Sequence, residues 1–202
     1  AVYGMRGMGK TTRTVALLKS ARRIVVFDPQ GEYPDLGYRA VAWRDISRIV
    51  SGNRGFRISY HPRRGAAKEA LHHLCEMLLV IQEKKGGLKA PRLMLVVEEM
   101  SKSFPDTKLP DSLWGMKEMS EQGRHANIDV IGTTQRPATI STNFRGNAEE
   151  TYIFGLQWQN DVDKVSAMIG RDQAAVIRAL KPHEYLLYRG NRISRGKNRR
   201  RR

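Results

Sequence analysis

The sequence predicts an α/β fold in which a mainly parallel sheet lies between layers of helices. Short apolar segments alternate with segments of helical periodicity, two apolar segments are uninterrupted, and a glycine-rich loop with a lysine lies near the start. The uninterrupted segments, 93–97 and 130–133, are typical of strands that are buried on both faces. A length of 202 residues fits one domain with a full core.

The order of elements follows from the spacing of apolar residues. The clearest helix covers 67–81, where apolar residues recur every three or four positions until Gly86 and Gly87 end the pattern. Strands are predicted at 1–3, 24–28, 40–43, 56–60, 93–97, 130–133, 152–156 and 184–188, and further helices at 12–21, 113–125, 161–169 and 173–180. We therefore expect a core over 1–188 and a basic, flexible C-terminal tail over 189–202.

The loop from Gly4 to Thr11 fits the pattern G-x-x-x-x-G-K-[ST] of phosphate-binding loops. Glycines allow the backbone to curl so that successive N–H groups point at a polyphosphate, and the following helix adds the positive end of its dipole. Lys10 is expected to reach the β and γ phosphates, and the Thr11 hydroxyl to bind Mg²⁺. The residues expected to contact the nucleotide are Gly4, Gly7, Met8, Gly9, Lys10, Thr11 and Thr12.

Two acids, Glu98 and Glu99, follow the buried strand at 93–97. One carboxylate in this position holds Mg²⁺, and the next accepts a proton from the attacking water. We assign Glu98 to the metal and Glu99 to the water. Side chains alternate along a strand, so both acids face the phosphate only if the strand ends at this point.

A third polar segment, 132–137, follows the buried strand at 130–133. It places Gln135 at the carboxyl end of that strand, the edge at which the phosphate loop is also expected. An amide in this place contacts a γ-phosphate or the attacking water without adding charge.

The charge of the chain favours a polyanionic partner. The net charge is +16, and half of it falls in 189–202, which contain eight basic residues and no acid. A second basic stretch comprises Arg39, Arg44, Arg48, Arg54, Arg57, Arg63 and Arg64, with Asp45 as its acid. The longest apolar runs are too short to span a membrane, and Cys75, the single cysteine, excludes a disulfide within the chain.

Taken in order, these motifs resemble the HerA/FtsK superfamily of DNA-pumping ATPases. The match runs over about residues 4–188 and includes Asp-Pro-Gln-Gly-Glu-Tyr at 28–33 and Thr-Gln-Arg-Pro at 134–137. It differs at Glu98, where the family usually has Asp. The resemblance implies a three-layer P-loop NTPase fold of the RecA-like (ASCE) type that hydrolyses ATP with Mg²⁺.

The resemblance also implies a ring, usually a hexamer, in which a neighbouring subunit supplies an arginine to the transition state. The candidates are Arg124, then Arg145, with Arg136 as a third that could be structural instead.

A chain of this length lacks the additional domains of FtsK and HerA, and it is similar to the genome-packaging ATPases of internal-membrane, double-jelly-roll DNA viruses. This similarity implies double-stranded DNA as the substrate, a place in the host cytoplasm or at the packaging vertex of the virion, and a capsid-vertex or internal-membrane protein as a partner. The arginine tail could hold DNA, dock on the capsid or serve as a solubilising terminus.

Three alternatives stay open at this point. A filamentous-phage assembly or conjugation-type ATPase would pump single-stranded DNA with the same chemistry. A small-molecule P-loop kinase would transfer the phosphate to a metabolite, although the acids and the basic charge favour water and a polyanion. A nucleotide-gated DNA-binding protein would bind ATP and hardly hydrolyse it.

Overall fold

A computed structural model describes residues 1–199. Its strands are β1 (Val2–Tyr3), β2 (Arg23–Phe27), β3 (Tyr38–Ala40), β4 (Phe56–Tyr60), β5 (Leu93–Val97), β6 (Ile128–Thr134), β7 (Glu150–Ile153), β8 (Glu184–Arg189) and β9 (Arg192–Lys197). Its α-helices are α1 (Lys10–Leu17), α2 (Trp43–Gly52), α3 (Ala67–Lys84), α4 (Gly115–Gln122), α5 (Thr142–Gly146), α6 (Gln159–Ile169) and α7 (Ala174–Ala179). Among these residues, no helix has the length and apolar character needed to cross a membrane.

The strands form one sheet in the order β3-β4-β2-β5-β6-β1-β7-β8-β9. Every pair from β3 to β7 in this order is parallel, and the pairs β7–β8 and β8–β9 are antiparallel. The mainly parallel α/β fold is therefore confirmed. Because β5, β6 and β1 are adjacent and parallel, the segments that follow them meet at the same edge of the sheet.

Both faces of the sheet are covered. Alternate residues of β2 point to opposite sides, so Val25 and Phe27 join the larger apolar cluster, which takes in α2, α3, α4, α6 and α7, and Ile24 and Val26 join the smaller one. The smaller cluster is built on α1 and on the segment that contains Tyr33 and Leu36. The three layers expected from the sequence are thus present, with most helices on one side.

The predicted strand at 40–43 is wrong in its position. The strand is β3, which ends at Ala40, and α2 begins at Trp43. Ile46 and Val50, four residues apart, are fully buried on the same face of α2, and this helical spacing is the signal that the strand prediction overlooked.

The expected flexible tail at 189–202 also differs from the structure as far as Lys197. Arg192–Lys197 pairs along β8 as an edge strand, through a turn at Gly190 and Asn191 in which both residues have positive φ (51° and 61°). A Gly-Asn turn of this kind is typical of a β-hairpin. The basic and exposed side chains of β9 made this segment of the sequence resemble a tail. Residues 200–202 of the predicted tail lie outside the part of the chain that the structure describes.

Candidate nucleotide-binding site

The phosphate loop connects β1 to α1 and is fixed by its neighbours in the sheet. The Gly4 N–H donates to the Thr134 carbonyl (3.1 Å), and the Met5 N–H donates to the Gly155 carbonyl (3.0 Å). Gly4 has φ 153°, and a Cβ there would lie 2.5 Å from the Phe154 Cβ, so the close approach requires glycine. The side chain of Met8 is buried in the smaller cluster, which leaves only its backbone for a nucleotide.

Lys10, the first residue of α1, is buried and points back into the loop. Its Nζ donates to the Met5 carbonyl at 3.1 Å. Burial lowers the pKa of Lys10, and the charges of Glu98, Glu99 and Glu32 act in the opposite direction. The lysine therefore lies in the field of three carboxylates, including the two acids that follow β5.

Glu98 is buried, and its Oε2 accepts a hydrogen bond from the Tyr33 hydroxyl at 2.8 Å. Burial raises the pKa of Glu98, while Thr133, Tyr33 and the charge of Lys10 act to lower it. Its carboxylate and the Thr11 hydroxyl, at the start of α1, are the kind of oxygen ligands that Mg²⁺ takes together with water and phosphate.

The Asp28–Tyr33 motif explains how Tyr33 reaches Glu98. The fully buried Asp28 carboxylate accepts hydrogen bonds from the N–H groups of Gly31 (2.8 Å), Glu32 (3.0 Å) and Tyr33 (3.0 Å). These bonds fold the loop over the end of β2, which lies beside β5. The sequence showed the motif but gave no role to either residue.

Glu99, two residues after the end of β5, has a left-handed conformation, with φ 45° and ψ 55°. Its Oε1 accepts hydrogen bonds from the Ser101 hydroxyl (2.8 Å), the Thr134 hydroxyl (3.0 Å) and the Gln135 N–H (3.2 Å). Its Oε2 accepts one from the Gln135 side-chain Nε2 at 3.1 Å. Because Glu99 leaves the strand geometry, the side chains of Glu98 and Glu99 both lie at the same edge of the sheet. Strained backbone conformations of this kind are common at functional sites.

The three arginine candidates lie in different surroundings. Arg145 is buried, and its guanidinium donates to the carbonyls of Pro137 (2.7 Å) and Ile140 (3.2 Å) and to the Thr142 hydroxyl (3.1 Å). These hydrogen bonds hold the guanidinium against its own loop, and the role of Arg145 at a neighbour's nucleotide stays a prediction.

Arg136 is also held within its own subunit. It pairs with the buried Asp161 at 2.8 Å and stacks on the Trp158 ring. Arg124 is exposed in the short helix before β6, at the edge of the sheet opposite Lys10. An arginine that acts on a neighbouring subunit must be exposed. Arg124 meets this condition, and its role at a neighbour's nucleotide stays a prediction.

No protein-family model and no curated protein sequence matches the chain. Several solved structures do match the chain. The genome packaging NTPase B204 of Sulfolobus turreted icosahedral virus 2, in complex with AMPPCP, is 20% identical with a TM-score of 0.76, and the alignment covers 97% of this chain and 95% of that one.

VirB4 of Thermoanaerobacter pseudethanolicus is 10% identical with a TM-score of 0.68, and the alignment covers 99% and 89% of the two chains. The bacterial conjugative coupling protein TrwBdeltaN70 is 15% identical with a TM-score of 0.56, over 76% of this chain and 42% of that one. At these identities the likeness shows the fold alone, and the fold that this chain shares with the three proteins is the mainly parallel α/β fold that its sequence predicted.

Proposed function

We propose that this protein is an Mg²⁺-dependent ATPase that moves double-stranded DNA, and that it packages a viral genome into a preformed capsid. One observation carries the ATPase part of the proposal: Lys10, Glu98, Glu99 and Gln135 meet at one edge of the sheet, beside the phosphate loop. B204, which has the same fold, is a genome packaging NTPase, and this likeness supports DNA as the cargo.

Each residue of the site has a definite task in this proposal. Lys10 would leave the Met5 carbonyl and bind the phosphates. Thr11 and Glu98 would hold Mg²⁺, which would supply positive charge to the phosphate oxygens. Glu99 takes a proton from the attacking water, and Gln135 contacts that water or the γ-phosphate. The Tyr33 hydroxyl keeps Glu98 in the orientation that the metal requires.

The hydrogen bonds of Glu99 suggest how hydrolysis is restrained. The carboxylate of Glu99 accepts four hydrogen bonds, which hold it in one orientation. Gln135 supplies two of these bonds, one from its backbone and one from its side chain. If the side chain turns to a bound γ-phosphate, Glu99 loses the donor to its Oε2, and that oxygen becomes free to face the attacking water when substrate is present.

The basic surface at the opposite edge supports a nucleic-acid cargo. A cavity of about 380 Å³ lies there, at the amino ends of β2, β4 and β5, and is lined in part by Arg22, Arg23, Arg54 and Arg92. Arg23 is buried at 2% exposure and contacts Gln82 and the Pro91 carbonyl rather than an acid. The exposed Arg22 and Arg54 of this cavity favour the phosphate backbone of DNA, and they do so without reading sequence.

The proposal includes a ring of subunits, most simply a hexamer, in which Arg124 reaches the nucleotide of a neighbour. A capsid-vertex or internal-membrane protein would dock the ring, and the protein would work in the host cytoplasm or at the packaging vertex. The exposure of Arg124 and the likeness to B204 support this arrangement.

The deciding experiment measures phosphate release with duplex DNA, single-stranded DNA or no DNA, together with oligomer size with and without ATP. We expect duplex DNA to stimulate release most and ATP to favour the ring. Stronger stimulation by single strands would favour a conjugation-type pump, and the bacterial conjugative coupling protein TrwB shares this fold. Transfer of phosphate to a metabolite would instead indicate a kinase, and binding of DNA and ATP with almost no release would indicate a nucleotide-gated binding protein.

A further inference from the structure

The base of the β8–β9 hairpin lies against the phosphate loop. The Asn198 side-chain Nδ2 donates to the Gly9 carbonyl at 2.8 Å, and the His183 N–H donates to the Met8 carbonyl at 2.9 Å. The two contacting residues are joined by a third hydrogen bond, from the Asn198 N–H to the His183 carbonyl at 2.9 Å. Two successive carbonyls of the loop are thus tied to one end of the hairpin.

The contact is close and specific. Asn198 is only 6% exposed, although the residues around it in sequence are exposed. A Cβ on Gly9 would lie 2.8 Å from both the Asn198 Nδ2 and the His183 Nδ1, and Gly9 has φ 103°, so only glycine fits. His183 itself has φ 71°, an uncommon value for a residue with a side chain.

The geometry of the peptide bond gives this contact a consequence at the nucleotide site. In a trans peptide the C=O and the next N–H point in opposite directions. Tying the Met8 and Gly9 carbonyls to the hairpin therefore turns the N–H groups of Gly9 and Lys10 away from it. A phosphate loop binds through N–H groups that point together into its hollow, so their direction determines how well it holds a phosphate.

We propose that Asn198 and His183 are positioning residues, which hold the phosphate loop in the conformation that binds a nucleotide. Asn198 acts through its side-chain amide, and His183 acts through its backbone N–H and its left-handed conformation. The inference rests on the proposed nucleotide site. It adds that the site is completed by the C-terminal hairpin, and that the chain continues from this contact directly into the exposed Arg199.

The test compares two asparagines in the full-length chain. Asn198→Ala removes the donor to Gly9, and Asn143→Ala, the control, removes an exposed amide whose hydrogen bond goes to Glu121. We expect Asn198→Ala to raise the KM for ATP about tenfold with little change in kcat, because one hydrogen bond preorganises the loop but takes no part in the chemistry. Hydrogen exchange of the ATP-free protein should accelerate in residues 5–12, and β5 and β6 should stay protected.

A second pair of variants tests the part of His183. His183→Asn keeps a residue that tolerates positive φ, and we expect the KM of the parent. His183→Val disfavours that conformation, so we expect the same rise in KM as for Asn198→Ala.

Parent-like KM and exchange in Asn198→Ala would overturn the inference. So would faster exchange spread over the whole sheet, because that would show general loosening of the fold. If the parent protein fails to bind ATP, the proposed function fails, and the exchange measurement still decides whether Asn198 orders the loop.

Discussion

The side-chain amide of Gln135 donates to the carboxylate of Glu99, with Nε2 and Oε2 3.1 Å apart. The two residues follow neighbouring strands, β6 and β5, and are 36 positions apart in the sequence. The bond joins the residue proposed to activate water to the residue proposed to detect the γ-phosphate. Hydrolysis should therefore depend on this pair and on Lys10, which lies in the field of Glu99.

We expect Glu99→Gln to abolish hydrolysis and to leave ATP binding intact. The amide has the size of the carboxylate but cannot accept a proton from water, and loss of a general base costs on the order of 10²–10⁴ in rate. Phosphate release and equilibrium binding of ATP measure the two effects separately. Normal hydrolysis in this variant would move the role of base to another residue.

Lys10→Ala should lose both hydrolysis and most of the ATP affinity. The ammonium group is already aimed into the loop, where it contacts the Met5 carbonyl. Lys19→Ala, just beyond the end of α1, is the matched control and should behave like the parent. Equal losses in the two variants would show that general charge, rather than the position of Lys10, matters.

Gln135→Ala should keep ATP binding and lower kcat roughly 10- to 100-fold, because the amide orients the water or phosphate but carries no charge. The Gln135 backbone N–H still donates to Glu99 in this variant, so the carboxylate stays in place. Single-turnover hydrolysis with saturating ATP isolates the chemical step. A rate above that of the parent would mean that the amide mainly restrains Glu99.

The meeting of these residues was predictable because it follows from topology alone. Parallel strands bring their carboxyl ends to one edge, so a loop after β1, acids after β5 and an amide after β6 converge once the strands are recognised. The fold class and the catalytic set required only local patterns. The left-handed turn at Glu99 was not visible, because no glycine or asparagine marks it.

Contacts between distant segments carried no local signal. Asn198 lies among basic residues that resemble a solvated tail, yet it bonds to Gly9, 189 positions earlier. The sequence offered Arg145 as a candidate for the arginine that acts on a neighbour, but it did not show that the carbonyls of Pro137 and Ile140 accept hydrogen bonds from its guanidinium. Arg23 is a charged residue at the start of a buried strand, and its contacts with Gln82 and the Pro91 carbonyl explain how the fold accommodates it.

Acid should destabilise the fold through His72. This side chain is fully buried, accepts a hydrogen bond from the Met116 N–H at 3.3 Å, and has its pKa lowered by burial from 6.5 to about 4. Because the folded pKa lies below the unfolded one, the unfolded chain binds the proton first, and stability is lost as the pH falls from 6.5 towards 4. His72→Gln keeps a hydrogen-bond acceptor for the Met116 N–H but removes the titrating imidazole. The Tm of this variant should therefore fall about 2–4 °C less than that of the parent between pH 7 and pH 5. Equal losses in both proteins would assign the effect to other groups.

The arginines of the amino-edge cavity should govern the salt dependence of DNA binding. Arg22 and Arg54 are exposed there, whereas Arg92 is paired with Asp129 and Arg23 is buried. Each phosphate contact contributes about one to the slope of log K against log[salt], so Arg22→Ala and Arg54→Ala should each reduce that slope by about one and weaken binding severalfold for any sequence. Arg171→Ala removes an exposed arginine outside the cavity and should leave the slope unchanged. An unchanged slope in both cavity variants would place the DNA on another face. ATP hydrolysis without DNA, measured in parallel, should stay at the parent rate, because the cavity lies at the edge opposite Lys10.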